Sequence, residues 1–407
     1  MNVRCYPGFL FFLIVLPIVL FEIPAYSDDL SVNSSSQFSW GDMVTGKSEP
    51  MLAETLQLRM DGVEKVKISG FGRVSQDFGD AVIQDPKMAG RLYFMFLDYS
   101  GFKNVNMRFG RQLTSSSTGV LVLDGLTLDM RRLTENIGMS FSTGMENQAG
   151  LNSDFSSDKK PVVSANFFLR NVSLGDAEIG YMRKYDDSST SREILGFNAS
   201  SSTKWGRPYV SAMYNMLGES FDAMTVGLDV YPSSRLSFKG EYYQAYPTFD
   251  TTSIYSVFAV DKYSEYLARA SYDYTLKSNI FASLKRQMYE ENDSAYVASA
   301  GGVYRFYDKS SINATVDHRQ GVGGWLWGGE AYVDHGFGEL IKVSAGIQRD
   351  IYQRPVTLDA WRSASRYWIG LRYSPRANLA ATFRLEENSN ERFTNQYGGR
   401  GTIEASF

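Results

Sequence analysis

The chain has 407 residues, 43% hydrophobic and 21% charged, with a net charge of −4 and a pI near 5.5. That balance argues against nucleic-acid binding through a basic surface, and no run of five or more basic residues occurs. Two histidines and one cysteine leave little for a metal or haem centre of the chain's own, so no cofactor is expected; 26 Tyr, 26 Phe and 36 Gly favour sheet.

The N-terminus reads as a secretory signal over residues 1–27. "MNVR" supplies a positive charge, "FLFFLIVLPIVLF" is an apolar core too short to span a bilayer as a helix, and "AYS" places small residues ahead of a cleavage point near Ser27. Cys5 lies in this removed segment, so the mature chain is expected to have no thiol. After residue 28 no run of about 20 apolar residues exists.

Residues 28–64 are expected to form a periplasmic or lumenal leader. "MLAETLQLRM" does alternate, at Leu56, Leu58 and Met60, but a single strand added there would make the strand count odd. The first convincing strand is "VKISGFGRVS", from Val66, and residues 65–407 follow as a series of hairpins. The clearest is "MTVGLDVYPSSRLSFKGEYY". Met224, Val226, Leu228 and Val230 share one face of the first arm. Leu236, Phe238 and Tyr242 share one face of the second, with Ser237, Lys239 and Glu241 opposite.

Short and long connections alternate. Short turns fall at Lys277–Asn279, Asp308–Ser310, near Gly336 and at Ser374–Arg376. Long polar connections fall at Gln76–Ala89, Leu113–Thr118, Gly144–Pro161, Tyr246–Tyr263, Asp350–Ser363 and Glu387–Gln396. An outer-membrane barrel has this alternation, with short periplasmic turns and long outer loops. The expected fold is all-β, a transmembrane antiparallel up-and-down β-barrel of about 20 strands (range 16–20).

Along "GRLYFMFLDYSGFKNVNMRFGRQLTSSSTGVLVLDGLTLDM" the chain resembles porin-like outer-membrane proteins, especially those of metal-respiring Gram-negative bacteria. The resemblance covers about 40 residues. It implies a barrel that conducts small polar solutes or ions. Together with the barrel's width it also motivates an alternative, a sheath around a periplasmic multihaem cytochrome in an electron conduit; the chain holds no haem motif of its own.

By parity, Val105, Met107 and Phe109 meet lipid while Asn106 and Arg108 face the lumen; Arg111 is expected at the strand end, where a lipid-side charge costs little. Arg73, Arg108, Lys239, Glu241, Lys285, Lys342, Arg372 and Arg384 are the candidate pore-lining residues, a lumen of mixed charge. Aromatic pairs such as Trp325 and Trp327 suit interfacial girdles.

"VDHR" and "VDHG" place each histidine after an aspartate, but neighbours on a strand point to opposite faces, so neither pair makes a dyad. With no nucleophile motif either, no enzyme is expected. The terminal "YGGRGTIEASF" alternates to its last residue, with Ile403, Ala405 and Phe407 on one parity, as in the signal read by the barrel assembly machinery. Gly399 stands where a larger hydrophobe is common. The expected partners are outer-membrane lipid and that machinery, and the expected location is the outer membrane.

Overall fold

The computed structural model describes residues 30–41, 50–62, 65–78, 88–130, 133–147, 160–172, 175–186, 189–246, 262–289, 293–307, 309–353, 360–391 and 393–407. The expected signal segment with its cleavage point, and the centres of most of the long connections, lie outside the described residues.

Twenty-two strands form one sheet. They are β1 (Leu30–Gly41), β2 (Met51–Asp61), β3 (Val66–Asp77), β4 (Met88–Phe102), β5 (Val105–Ser116), β6 (Gly119–Met130), β7 (Ile137–Glu146), β8 (Lys160–Val172), β9 (Gly175–Asp186), β10 (Ser189–Ser200) and β11 (Gly206–Asn215). The second half comprises β12 (Ser220–Val230), β13 (Leu236–Ala245), β14 (Tyr263–Thr275), β15 (Ser278–Met288), β16 (Ser294–Tyr307), β17 (Ser310–Gly321), β18 (Gly324–Phe337), β19 (Ile341–Gln353), β20 (Arg362–Arg376), β21 (Leu379–Asn390) and β22 (Phe393–Ser406). Each strand pairs antiparallel with its neighbours in sequence, and β1 pairs with β22 to close the ring. At the seam the backbones of Val32 and Phe407 exchange two hydrogen bonds, at 2.9 and 3.0 Å. Closure removes both sheet edges, the condition for a sheet to sit in hydrocarbon.

From Val66 onward the structure has the 20 strands expected, β3 to β22. The leader expectation for residues 28–64 is overturned: β1 and β2 are wall strands. Because both are present the count stays even, which a single strand at "MLAETLQLRM" would not have allowed. β1, "LSVNSSSQFSWG", hides its role behind serines on both faces. On the outward face Ser34 and Ser36 both donate to the Glu54 carboxylate, so the polar groups of β1 and β2 satisfy one another.

Along most of the wall one parity faces outward and is largely apolar, with Phe109 67%, Leu284 65% and Val316 57% exposed. The other faces the lumen and carries most of the charge. At a spacing of about 4.8 Å and a tilt near 40°, 22 strands give a backbone diameter of roughly 44 Å. Side chains in an inner layer about 5 Å deep would leave a clear width near 34 Å.

A lumen with an infolded hairpin as the candidate functional site

Six of the candidate pore residues project inward and are held by carboxylates. Arg108 Nε lies 2.6 Å from Asp98, Lys239 2.8 Å from Glu241, and Lys285 3.1 Å from Glu265. Lys342 lies 3.4 Å from Asp334, Arg372 3.0 Å from Glu404, and Arg384 3.7 Å from Glu386. Glu241 also accepts from the Tyr209 hydroxyl. Arg73, opposite Arg91 on β4, faces inward with its Nε buried and without a hydrogen-bond partner. The inner wall is thus a lattice of ion pairs, within and between strands, more than a field of one sign.

The hairpin of β5 and β6 departs from the wall. Its crease is a row of paired glycines: Gly110 opposes Gly125, and Gly125 opposes Gly144 on β7. A Cβ on Gly125 would lie 2.2 Å from the Thr143 carbonyl oxygen, and one on Gly110 would lie 2.4 Å from that of Met95; Gly110 also has φ +121°. Side chains at these points would block the bend.

Above the crease, Arg111 makes a two-pronged ion pair with Asp124, at 2.8 and 3.1 Å, and donates to the Leu92 carbonyl at 2.9 Å. Pairing of β4 with β5 stops at Met95–Arg111, so the guanidinium serves a β4 carbonyl that β5 no longer reaches. Arg111 is only 8% exposed. The sequence reading placed it at a cheap lipid-side strand end; it is instead a buried lock for the crease. Gln112, fully buried, holds the Gly125 carbonyl at 3.2 Å.

The tip, Ser116–Gly119, lies against the inner face of β8 to β11. Gly180 and Gly196 pair with each other and leave a notch for it: a Cβ on Gly196 would lie 2.2 Å from the Ser117 carbonyl oxygen, and one on Gly180 2.6 Å from the Ser117 hydroxyl. The Ser117 amide donates to Glu178 at 2.6 Å. Leu121 and Leu123 pack on Val162, Met182, Ile194 and Met213, an apolar core within the lumen. The opposite face of the hairpin leaves Leu113 and Val120 exposed toward the open lumen.

Beneath the hairpin, toward the short turns, lies a polar cavity of about 320 Å³ lined by Lys67, Asp98, Arg108, Asp129, Ser142 and Asn166, among others. Beside it Phe71, Tyr93, Phe94 and Phe96 form an inward aromatic cluster, with Arg108 4.2 Å over the Phe96 ring.

Of the three candidate assembly residues, Ile403 is exposed on the outward face, Ala405 is buried between neighbours, and Phe407 joins the closing seam. Gly399 has its own reason: a Cβ there would strike the Trp40 ring at 2.2 Å, so the glycine seats an aromatic of β1. The histidines project outward, away from Asp317 and Asp334. Asp334 pairs with Lys342, while His335 meets the Ser310 hydroxyl at 2.7 Å. Among the described residues no cluster of three or more metal-ligating side chains occurs.

The infolding was not legible in sequence. Leu113–Thr118 read as a long outer loop, whereas β5 runs on to Ser116 and turns in two residues. The usable signal was the glycine triplet, one glycine each on β5, β6 and β7, but its pairing depends on register.

These features define a closed, antiparallel, 22-stranded β-barrel. No family model and no curated protein matches the chain. Solved structures of similar fold include the ferric enterobactin receptor PfeA, a mutant form, from Pseudomonas aeruginosa. The TM-score is 0.64 and the identity 8%, over 94% of this chain and 81% of that one. The P pilus usher PapC translocation pore matches with TM-score 0.53 and 9% identity, over 93% and 99%. Pseudomonas aeruginosa OpdQ matches with TM-score 0.48 and 8% identity, over 94% and 99%. At these identities the likeness is one of fold.

Proposed function

We propose that this chain is an outer-membrane channel of porin type that passes small polar solutes or ions, narrowed on one side by the infolded hairpin. The observation that carries the reading is the inner wall: ion-paired, polar and wide, with an ordered hairpin docked on it. A two-stranded ribbon covers on the order of 100–200 Å², set against a lumen of about 900 Å² at a width near 34 Å. The hairpin alone constricts such a lumen without closing it. Arg73, Arg108, Lys239, Glu241, Lys285, Lys342, Arg372 and Arg384 are the residues a passing solute would meet, and Leu113 and Val120 add an apolar edge. Export through the signal segment and insertion by the assembly machinery through the Phe407 strand belong to the same reading.

The sheath around a multihaem cytochrome gains no specific observation, and the hairpin occupies part of the space such a partner would need. Planar-bilayer recording of the purified protein tests the channel. Stepwise ohmic currents are expected. A barrel that inserts, shown by heat-modifiable gel migration, yet stays electrically silent would overturn it.

A further inference from the structure

Most lumenal cations have carboxylate partners, whereas the outward-facing Arg286, His318 and Arg349 have none among the described residues. Arg286, His318 and Arg349 lie on β15, β17 and β19, which begin at Ser278, Ser310 and Ile341 on the side of the short turns. Counting from each start (286 − 278, 318 − 310 and 349 − 341, plus one), each is the ninth residue of its strand, so the three stand at one level near the outer rim. Alternate strands are about 9.6 Å apart at right angles to their axes, or about 12.5 Å along the rim at a tilt near 40°, so the arc spans roughly 25 Å. From β13 to β20 the described outward positions include no Asp or Glu, as the register shows; Glu241, Glu265, Asp317, Glu330, Asp334 and Asp350 all take the inward parity. Arg286 and Arg349 are exposed and make no ion pair among the described residues. Arg286 sits 5.7 Å over the Tyr296 ring, and His318 stacks on Trp327 at 4.1 Å.

Below this arc the outward wall is hollow. Two connected grooves, of about 750 and 690 Å³, share Leu228, Gly240, Ala268, Leu284, Ala298 and His318. Small residues from neighbouring strands make the floor, and Tyr296 and Trp327 stand at its rim. Arg286 and Gln320 close the outer end of the second groove.

We infer that this face binds a phosphate-bearing, multiply acylated lipid of the outer leaflet, with acyl chains in the grooves and phosphates on Arg286, His318 and Arg349. The inference rests on the outer-membrane reading above. Arginine on the outward face costs little near the interface, so the arc is tolerable alone, and an anionic headgroup supplies the counter-charge the protein omits. A second copy meeting this face through a two-fold would set the three basic groups against themselves, which disfavours it as the occupant.

The test is native mass spectrometry of the full barrel in detergent with bisphosphorylated hexa-acyl lipid A. The parent, the Arg286→Gln/His318→Gln/Arg349→Gln variant and a lumenal control outside the grooves, Arg59→Gln, are compared after heat-modifiability has shown each to be folded. Retention by the parent and the control, with a loss of about tenfold or more in the triple variant, is expected. Equal retention by the triple variant, displacement of the lipid by inorganic phosphate alone, or a lipid-free dimer in place of the complex would overturn it. Conductance is read in parallel: a silent parent that still binds lipid refutes the channel and spares this inference, whereas a conducting parent that ignores the lipid does the reverse.

Discussion

Replacing Gly196 with leucine should dislodge the hairpin tip while leaving the barrel wall intact. The Cβ alone would lie 2.2 Å from the Ser117 carbonyl oxygen and 2.6 Å from the Thr118 amide nitrogen, both backbone atoms that cannot rotate away. The tip must therefore retreat by an ångström or more. Overpacking of this kind costs about 1–3 kcal/mol. Full release would also expose Leu121 and Leu123, each worth about 1.5–3 kcal/mol buried, so the base of the hairpin stays while its tip opens more often. Expressed as an opening equilibrium, 1–3 kcal/mol is roughly a 5- to 140-fold gain in access. The assay is maleimide labelling of Ser117→Cys in a Cys5→Ala background, since position 117 is only 2% exposed in the docked state. Slow labelling in the parent and labelling faster by that factor in Gly196→Leu are expected. Rapid labelling in the parent, or equal rates in both, would refute the docked geometry.

Three further outcomes follow from the same geometry. Arg111→Met should lower stability by about 3 kcal/mol, read from the urea midpoint of the heat-modifiable band, by stranding Asp124, and Arg111→Met/Asp124→Leu should recover much of the loss; single variants within 0.5 kcal/mol of the parent would discount the lock. Lys285→Gln should shift the reversal potential in a salt gradient toward cations and Glu265→Gln toward anions, with the double variant near the parent; shifts of one sign in both would remove these groups from the conduction path. Deleting Phe407 takes away two seam hydrogen bonds, each worth about 0.5–1.5 kcal/mol net, so the stability of assembled barrel should fall only modestly while its yield in the membrane falls several-fold; normal yield would deny the terminal strand its role in assembly.

What the sequence determined by itself was whatever depends on period-two alternation. From Val66 onward, arms such as Met224–Val230 and Leu236–Tyr242 could be assigned to an apolar and a polar face because neighbouring side chains on a strand must point apart. The strand count on that stretch and the inward parity of residues such as Lys239 and Lys285 followed from that alone. Strand β1 escaped because Ser34 and Ser36 sit on its outward face, where alternation calls for apolar residues; only their pairing with Glu54 across the sheet makes sense of them. The hairpin escaped for a related reason. Gly110, Gly125 and Gly144 are unremarkable singly and become a crease only when register sets them side by side, and Gly180 and Gly196 become a notch only when Ser117 arrives. The outward row of Arg286, His318 and Arg349 likewise exists only once separate strands are stacked at one height. Local chemistry decides which face of a strand is wet, whereas adjacency between strands is a property of the closed sheet.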